Sequence, residues 1–327
     1  MMLVDTIFSI QNNSDFEQAA IKVFHHQYIN NNTYQRFCNL LGITKASVTC
    51  VHNIPFLPIQ FFKQEKITST TSLTQKIFTS SGTTGSVVSK HYVSDLSIYE
   101  KSFRKGFAHF YGDISEYVVL AVLPSYLERE GSSLVYMAEK LIEDSTQSES
   151  GFYLYEIEKL VHTLQKLITE QKKILLLGVS FALLDLIENY SITLNDNVVI
   201  METGGMKGRR KEIIREELHK ILIDGFGVSK IHSEYGMTEL LSQAYSQGAG
   251  IFYCPPWMKV SIRNPEDPLS GIETGKTGGI NIIDLANINS CSFIATQDLG
   301  KIQNDGSFQV IGRFDHSDIR GCNLMAL

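Results

Sequence analysis

The sequence predicts an α/β fold: a largely parallel sheet covered by helices, followed by a smaller β-rich subdomain. Three observations carry this. Near-continuous apolar runs at Tyr117–Leu123, Lys173–Gly178 and Val198–Glu202 suit strands buried on both faces, Ile174-Leu175-Leu176-Leu177 being the clearest. Helix-period stretches alternate with them. After residue 240 the helical signal fades into short apolar runs, Gly279–Ile283, Ser292–Ala295 and Phe308–Ile311, separated by Gly, Asn and Asp.

Taken in order, the chain opens with helices expected at Ser14–Tyr28, capped by Ser14 or Asp15, and at Thr33–Leu41. Ile54-Pro55-Phe56-Leu57-Pro58-Ile59 follows, running into Phe61-Phe62-Lys63; two prolines so close make it an extended packing segment. Strands are expected at Gln75–Thr79 and Lys90–Val93, on either side of a glycine-rich turn. Helices are expected at Asp95–Phe110, Ser132–Glu143, Tyr155–Lys172, Phe181–Glu188 and Arg209–Leu222. The expected division is residues 1–70 as a helical and extended segment packed on the core, 71–240 as an α/β nucleotide-binding core, and 241–327 as the β-rich subdomain.

Composition narrows the function. With 43% hydrophobic and 20% charged residues the chain has ample material for a core, and a formal charge of -6 gives no reason to expect a nucleic-acid partner. The five cysteines (Cys38, Cys50, Cys254, Cys291, Cys322) are odd in number, widely spaced and without a CxxC pair, against both a disulfide framework and a zinc site. No segment approaches a membrane span, and Met1–Ser14 lacks the basic leader of a signal peptide; a reducing cytoplasm is expected.

Five stretches carry chemistry. Thr79-Ser80-Ser81-Gly82-Thr83-Thr84-Gly85 follows an apolar segment with hydroxyls and glycines packed together. Glycine lets successive N–H groups converge on an anion and the hydroxyls add donors, as a triphosphate requires. No Gly-Lys-Ser/Thr follows, so it is not a Walker A loop, and alone it reads equally as a polar turn. Lys90, at the next strand, adds charge there or is merely solvated. Met201-Glu202-Thr203-Gly204-Gly205 ends an apolar strand, where α/β sheets bind ligands, and its glycines allow a flat ring against the backbone. In Ser233-Glu234-Tyr235-Gly236-Met237-Thr238-Glu239, Tyr235 offers a ring face to a purine, and Thr238 and Glu239 suit phosphate and Mg²⁺. In Thr296-Gln297-Asp298-Leu299-Gly300, Asp298 suits two vicinal ribose hydroxyls. In Gly312-Arg313-Phe314-Asp315, Arg313 suits the same ribose or a phosphate. Taken singly, each is also a plain turn or cap. His91 and His232 flank these stretches as further candidates or as packing residues.

Together and in this order the five stretches resemble the adenylate-forming superfamily of acyl-CoA synthetases, luciferases and adenylation domains. Ile54-Pro55-Phe56-Leu57-Pro58-Ile59 with Lys63, and Thr203-Gly204-Gly205-Met206-Lys207-Gly208-Arg209, make the acyl-protein synthetase family (LuxE-like) the nearest resemblance within it. The resemblance implies the large N-terminal domain of that superfamily, layered α/β sheets with a small β-rich subdomain, without the mobile C-terminal domain. It implies ATP and Mg²⁺ as cofactors. Ser80, Ser81, Gly82, Thr83, Thr84 and Gly85 would wrap the phosphates; Gly204 and Gly205 would line adenine, with Tyr235 and Gly236 against it. Thr238 would touch the α-phosphate, Glu239 would hold Mg²⁺, and Asp298 and Arg313 would bind the ribose. A carboxylic acid, a fatty acid above all, would be activated as acyl-AMP and passed to a cysteine thiol, with Cys322 in the expected place and Arg320 beside it to favour the thiolate.

The superfamily's essential lysine lies in the mobile domain. Lys90, Lys207 or Arg209 would replace it, or a partner would complete the site, or adenylation would be slow. An acyl-accepting reductase or carrier protein is the expected partner. The acyl pocket is expected from the Phe103–Tyr111 helix, Ser125–Gly131 and the residues before Tyr235. Two alternatives stay open: an acyl-CoA or other acid-acceptor ligase of the superfamily, and a catalytically silent nucleotide-binding scaffold.

Overall fold

The computed structural model describes residues 3–81, 87–124, 131–205, 210 and 213–314. Its described helices are α1 (Leu3–Ile7), α2 (Asn13–Asn30), α3 (Asn32–Leu40), α4 (Phe61–Gln64), α5 (Leu96–Tyr111), α6 (Ser133–Ser145), α7 (Ile157–Thr169), α8 (Ser180–Asn189) and α9 (Arg215–Phe226). The strands are β1 (Leu57–Pro58), β2 (Lys76–Thr79), β3 (Lys90–Val93), β4 (Tyr117–Val122), β5 (Gly151–Phe152), β6 (Lys173–Val179) and β7 (Val198–Thr203). They continue with β8 (His232–Tyr235), β9 (Ala244–Ser246), β10 (Phe252–Tyr253), β11 (Met258–Arg263), β12 (Thr277–Asp284), β13 (Phe293–Ile302) and β14 (Phe308–Arg313).

The parallel strands run β5-β4-β6-β7-β8, each pair in register over the apolar runs seen in the sequence. The inner strands are covered on both faces; β4 is buried throughout and β6 everywhere but Lys173. Helix connections of this length are what parallel pairing requires. From β8 the path turns antiparallel through β9, β10, β14, β13, β12 and β11, so the strands after residue 240 extend the same sheet.

Several boundaries differ from the sequence expectation. The cap of α2 is Asn12, whose side chain accepts from the Asp15 amide at 3.0 Å; the amide oxygen closes the first turn as Ser14 or Asp15 would have done. The helix expected from Arg209 is described from Arg215. β2 and β3 do not join the large sheet but pair with each other, antiparallel, Lys76 opposite Val93 and Thr79 opposite Lys90. A connection this short makes a hairpin; only a much longer one crosses over to a parallel neighbour.

The Pro-rich segment is extended as its composition requires. Leu57 and Pro58 lie parallel to Ile294 and Ala295, and the Ile59 amide donates to the Ala295 carbonyl at 2.9 Å. Gln27 on α2 reaches the same end of the sheet: its side chain donates to the carbonyls of Asn287 and Ile288, each at 3.0 Å, and accepts from the Ser292 amide at 2.9 Å. The N-terminal segment is thereby tied to the strand that carries Asp298.

Candidate active site

The geometry centres on Asp298, 5% exposed on β13. Antiparallel register sets it opposite Arg313 on β14, whose Nε donates to Oδ1 at 2.9 Å. The Tyr235 hydroxyl donates to Oδ2 at 2.8 Å. Burial, then the carboxylate itself, pushes the Tyr235 phenol well up, so it stays a donor. Its ring is fixed edge-on by Phe252 at 5.9 Å and Phe308 at 5.7 Å. Three stretches far apart in sequence thus meet on one carboxylate, and each of its oxygens keeps a lone pair for a further donor.

The ends of β7 and β8 lie beside it. Thr203 pairs with Glu234 along the parallel ladder, and its hydroxyl donates to the Glu234 carboxyl. Burial, with the nearby Glu202 charge adding to it, pushes Glu234 up to about 7. Gly236 lies two residues on, and a Cβ there would collide with the Glu234 carboxyl oxygen, so any larger residue displaces that group. After Thr203 the backbone turns left-handed at Gly204, and Ser180 donates to the Gly204 carbonyl at 3.3 Å. Behind this turn, burial works to raise Glu202, but His219, Arg215 and Ser233 outweigh it and hold the carboxylate ionised. Arg215 reaches Glu202 at 3.2 Å and the Val310 carbonyl at 3.3 Å, linking the β7 end to β14.

Thr238 and Glu239 form the turn after β8. The Thr238 carbonyl accepts from His91 at 2.9 Å, which places the ring proton on Nδ1, and the Glu239 carbonyl accepts from Asn287 at 2.7 Å. Burial pushes His91 down to about 4, so it is a neutral brace. The Glu239 carboxyl is 5% exposed; burial raises it, while the Ser89 hydroxyl and the charges of Arg313 and Lys63 pull the other way. Ser89 and His91 bring the β2–β3 hairpin onto this turn. Its ladder continues to Ser80, whose amide donates to the Ser89 carbonyl at 3.1 Å while its hydroxyl accepts from the Ser89 amide at 2.9 Å. Ser81, exposed, begins the loop beyond.

Gly82, Thr83, Thr84 and Gly85, together with Lys207, Arg209, Arg320 and Cys322, lie outside the described residues, as do 125–130 of the expected acyl pocket. Lys90 alternates with buried Ser89 and His91 and is exposed on the other face of the hairpin, away from Thr238. His232 packs against Tyr111, ring centroids 5.6 Å apart, and burial pushes it down to about 4. Phe103 and Phe107 are core residues. Ser89 and Arg263 were not marked by the sequence, and Glu234 and Lys63 stood inside marked stretches without a role of their own, because each acts through neighbours that only the fold supplies.

A Mg²⁺ ion can be tested against this donor set. Among the described residues no three His, Cys, Asp or Glu side chains cluster, so there is no all-protein metal cage. Mg²⁺ that arrives with phosphates needs only one or two carboxylates, and Glu239 fits that requirement.

Known proteins match this architecture. The family model for LuxE, acyl-protein synthetase, matches residues 131–326, more than half of the chain. A long-chain-fatty-acid–luciferin-component ligase of Vibrio harveyi is 22% identical over 345 residues, covering 97% of this chain and 89% of that protein. ATP-bound MatB from Rhodopseudomonas palustris superposes with a TM-score of 0.55 at 18% identity, over 72% of this chain and 47% of that one. A 2-hydroxyisobutyryl-CoA ligase in complex with 2-HIB-AMP and CoA gives 0.67 at 12% identity, over 94% of this chain and 70% of that one. The chain therefore spans about half the length of MatB, and the likeness to these solved structures is one of fold. By its family match and its architecture, the chain belongs to the LuxE acyl-protein synthetase family and is built on the fold of the adenylate-forming enzymes.

Proposed function

We propose that the chain activates a long-chain carboxylic acid with ATP as an acyl adenylate and then passes the acyl group to a thiol, that of Cys322. The observation that carries this is the Asp298 carboxylate held open between Tyr235 and Arg313, beside the Thr238–Glu239 turn on which the β2–β3 hairpin rests. Asp298 accepts the two ribose hydroxyls, Arg313 braces them, and Gly204, Gly205, Tyr235 and Gly236 border the adenine. Ser80, Ser81, Gly82, Thr83, Thr84 and Gly85 wrap the phosphates. A substrate carboxylate oxygen attacks the α-phosphorus, the bond to the bridging oxygen breaks, and pyrophosphate leaves; Thr238 donates to the α-phosphate. Mg²⁺, when bound, withdraws charge from the phosphates, and Glu239 is the carboxylate present to hold it. The protein's part is positioning and electrostatics.

In the second step the Cys322 thiolate attacks the acyl carbonyl carbon and AMP departs. Burial pushes Cys38, Cys254 and Cys291 up to about 12, so these thiols are poor nucleophiles at neutral pH and do not compete for the acyl group. An acyl-accepting reductase or carrier protein would take the thioester onward. Residues 71–240 would form the nucleotide-binding core between the 1–70 and 241–327 portions. Among the described residues no helix is long and apolar enough to cross a membrane, and we assign the activity to the cytoplasm, where a free acceptor thiol stays reduced.

The test is pyrophosphate exchange into ATP with purified protein across fatty and shorter acids. Exchange that depends on a long-chain acid, is lost in Glu239→Ala and persists in Cys322→Ser supports the scheme. Absence of exchange with every acid in the panel rejects it.

A further inference from the structure

The segment from Ile54 to Lys63 carries part of the family resemblance, yet nothing in the proposed chemistry uses it. The structure keys it to the active site. After β1 docks on β13 the chain enters α4, whose Phe62, 1% exposed, meets His91 edge to face at 5.9 Å. His91 is the residue that holds the Thr238 carbonyl. Next to Phe62, Lys63 opens into a cavity of about 430 Å³ between α4 and the Val87–Tyr92 segment, which also includes Lys66 and Lys90. The one carboxylate on its wall, Glu65, faces Arg36 at 3.4 Å, and Lys66 lies over the Tyr92 ring at 5.3 Å. Among the described residues Lys63 and Lys90 have no ion-pair partner. Three ammonium groups therefore face one already engaged carboxylate, in a cavity bordered by the segment that leads out of the hairpin loop. Of the three, Lys63 directly follows Phe62, the residue packed on His91.

We propose that Lys63 is the cation that receives the β- and γ-phosphates of ATP and the pyrophosphate that leaves. A compact ammonium group on an exposed stem suits a mobile polyphosphate, and net positive charge in a partly enclosed cavity concentrates an anion. The assignment rests on the adenylation reading and adds to it a phosphate cation drawn from the N-terminal segment.

The experiment is titration calorimetry of the full chain with MgATP, AMP and inorganic pyrophosphate, for wild type, Lys63→Met, Lys63→Arg and Lys66→Met. Lys63 is exposed, so the substitutions leave packing intact. Loss of a charge-assisted phosphate contact should weaken MgATP and pyrophosphate by about 10- to 100-fold in Lys63→Met. AMP should stay within about twofold, Lys63→Arg should recover most of the loss, and Lys66→Met should change little, since Lys66 is engaged on Tyr92. Equal weakening of AMP and MgATP, or unchanged pyrophosphate affinity in Lys63→Met, overturns the assignment and leaves the nucleotide site standing. A wild type that binds neither nucleotide nor pyrophosphate overturns both.

Discussion

Glu234 shows how a single residue takes its chemistry from its surroundings. In the unfolded chain its carboxyl titrates near 4.5; buried against Thr203 and near Glu202 it is pushed up to about 7. The native state therefore keeps a proton that the unfolded chain releases between these values, so stability falls as pH rises from about 4.5 to about 7 and stays reduced above that. Glu234→Gln keeps an acceptor for the Thr203 hydroxyl and removes the titration. The variant should match wild type near pH 4 and exceed it by about 3 kcal/mol near pH 8, an order-of-magnitude figure from the size of the shift. Urea unfolding at the two pH values checks this; a constant offset between the proteins would show that Glu234 does not titrate in that window. Asp298 illustrates the complementary case, a buried carboxylate whose two donors keep it in place for a ligand.

Among the elements, β13 holds the site in register, and Arg263 holds β13. This buried guanidinium on β11 donates to the Ile280 carbonyl at 2.8 Å, the Asn281 side chain at 2.9 Å and the Thr296 carbonyl at 2.5 Å, two residues before Asp298. It occupies the irregularity where β12 slips against β13 between Gly279 and Asn281. Gly279 is required there, because a Cβ would stand 2.5 Å from the Arg263 guanidinium carbon. Arg263→Met keeps the bulk and removes the donors, leaving acceptors on two strands without partners. It should cost about 2–4 kcal/mol in urea unfolding. Because Asp298 hangs on the same strand, AMP affinity should fall as well; stability lost with AMP binding intact would show that the register around Asp298 is set elsewhere.

At the scale of the whole molecule, one sheet carries both halves of the site. The parallel strands end at Thr203 and Tyr235, the antiparallel ones bring Asp298 and Arg313 alongside, and the hairpin and α4 close over the Thr238–Glu239 turn. The same packing silences buried Cys38 and Cys291 and half-buried Cys254. With Cys38, Cys254 and Cys291 pushed up to about 12 from an ordinary 9, their thiolate fraction near neutral pH is about a thousandfold below that of a free thiol. Alkylation of the native protein, read by mass spectrometry, should modify exposed Cys50 and spare these three until urea unfolds the chain. Rapid native labelling of Cys38 or Cys291 would contradict the packing around them.

The sequence by itself determined the fold class, the order of the elements in the parallel half and the identity of Asp298, Arg313, Tyr235 and Glu239 as candidates. Those depend on local signals: apolar runs whose length matches a doubly covered strand, and polar residues placed just after them. It did not reveal that β2 and β3 leave the sheet as a hairpin, that Lys90 faces away from Thr238, or that α4 packs Phe62 on His91. Nor did it mark Arg263 or the buried proton on Glu234. These are consequences of burial and of contacts between residues far apart in the chain. Dielectric, register and the direction of a side chain exist only once the strands are paired, so tertiary structure alone decided them.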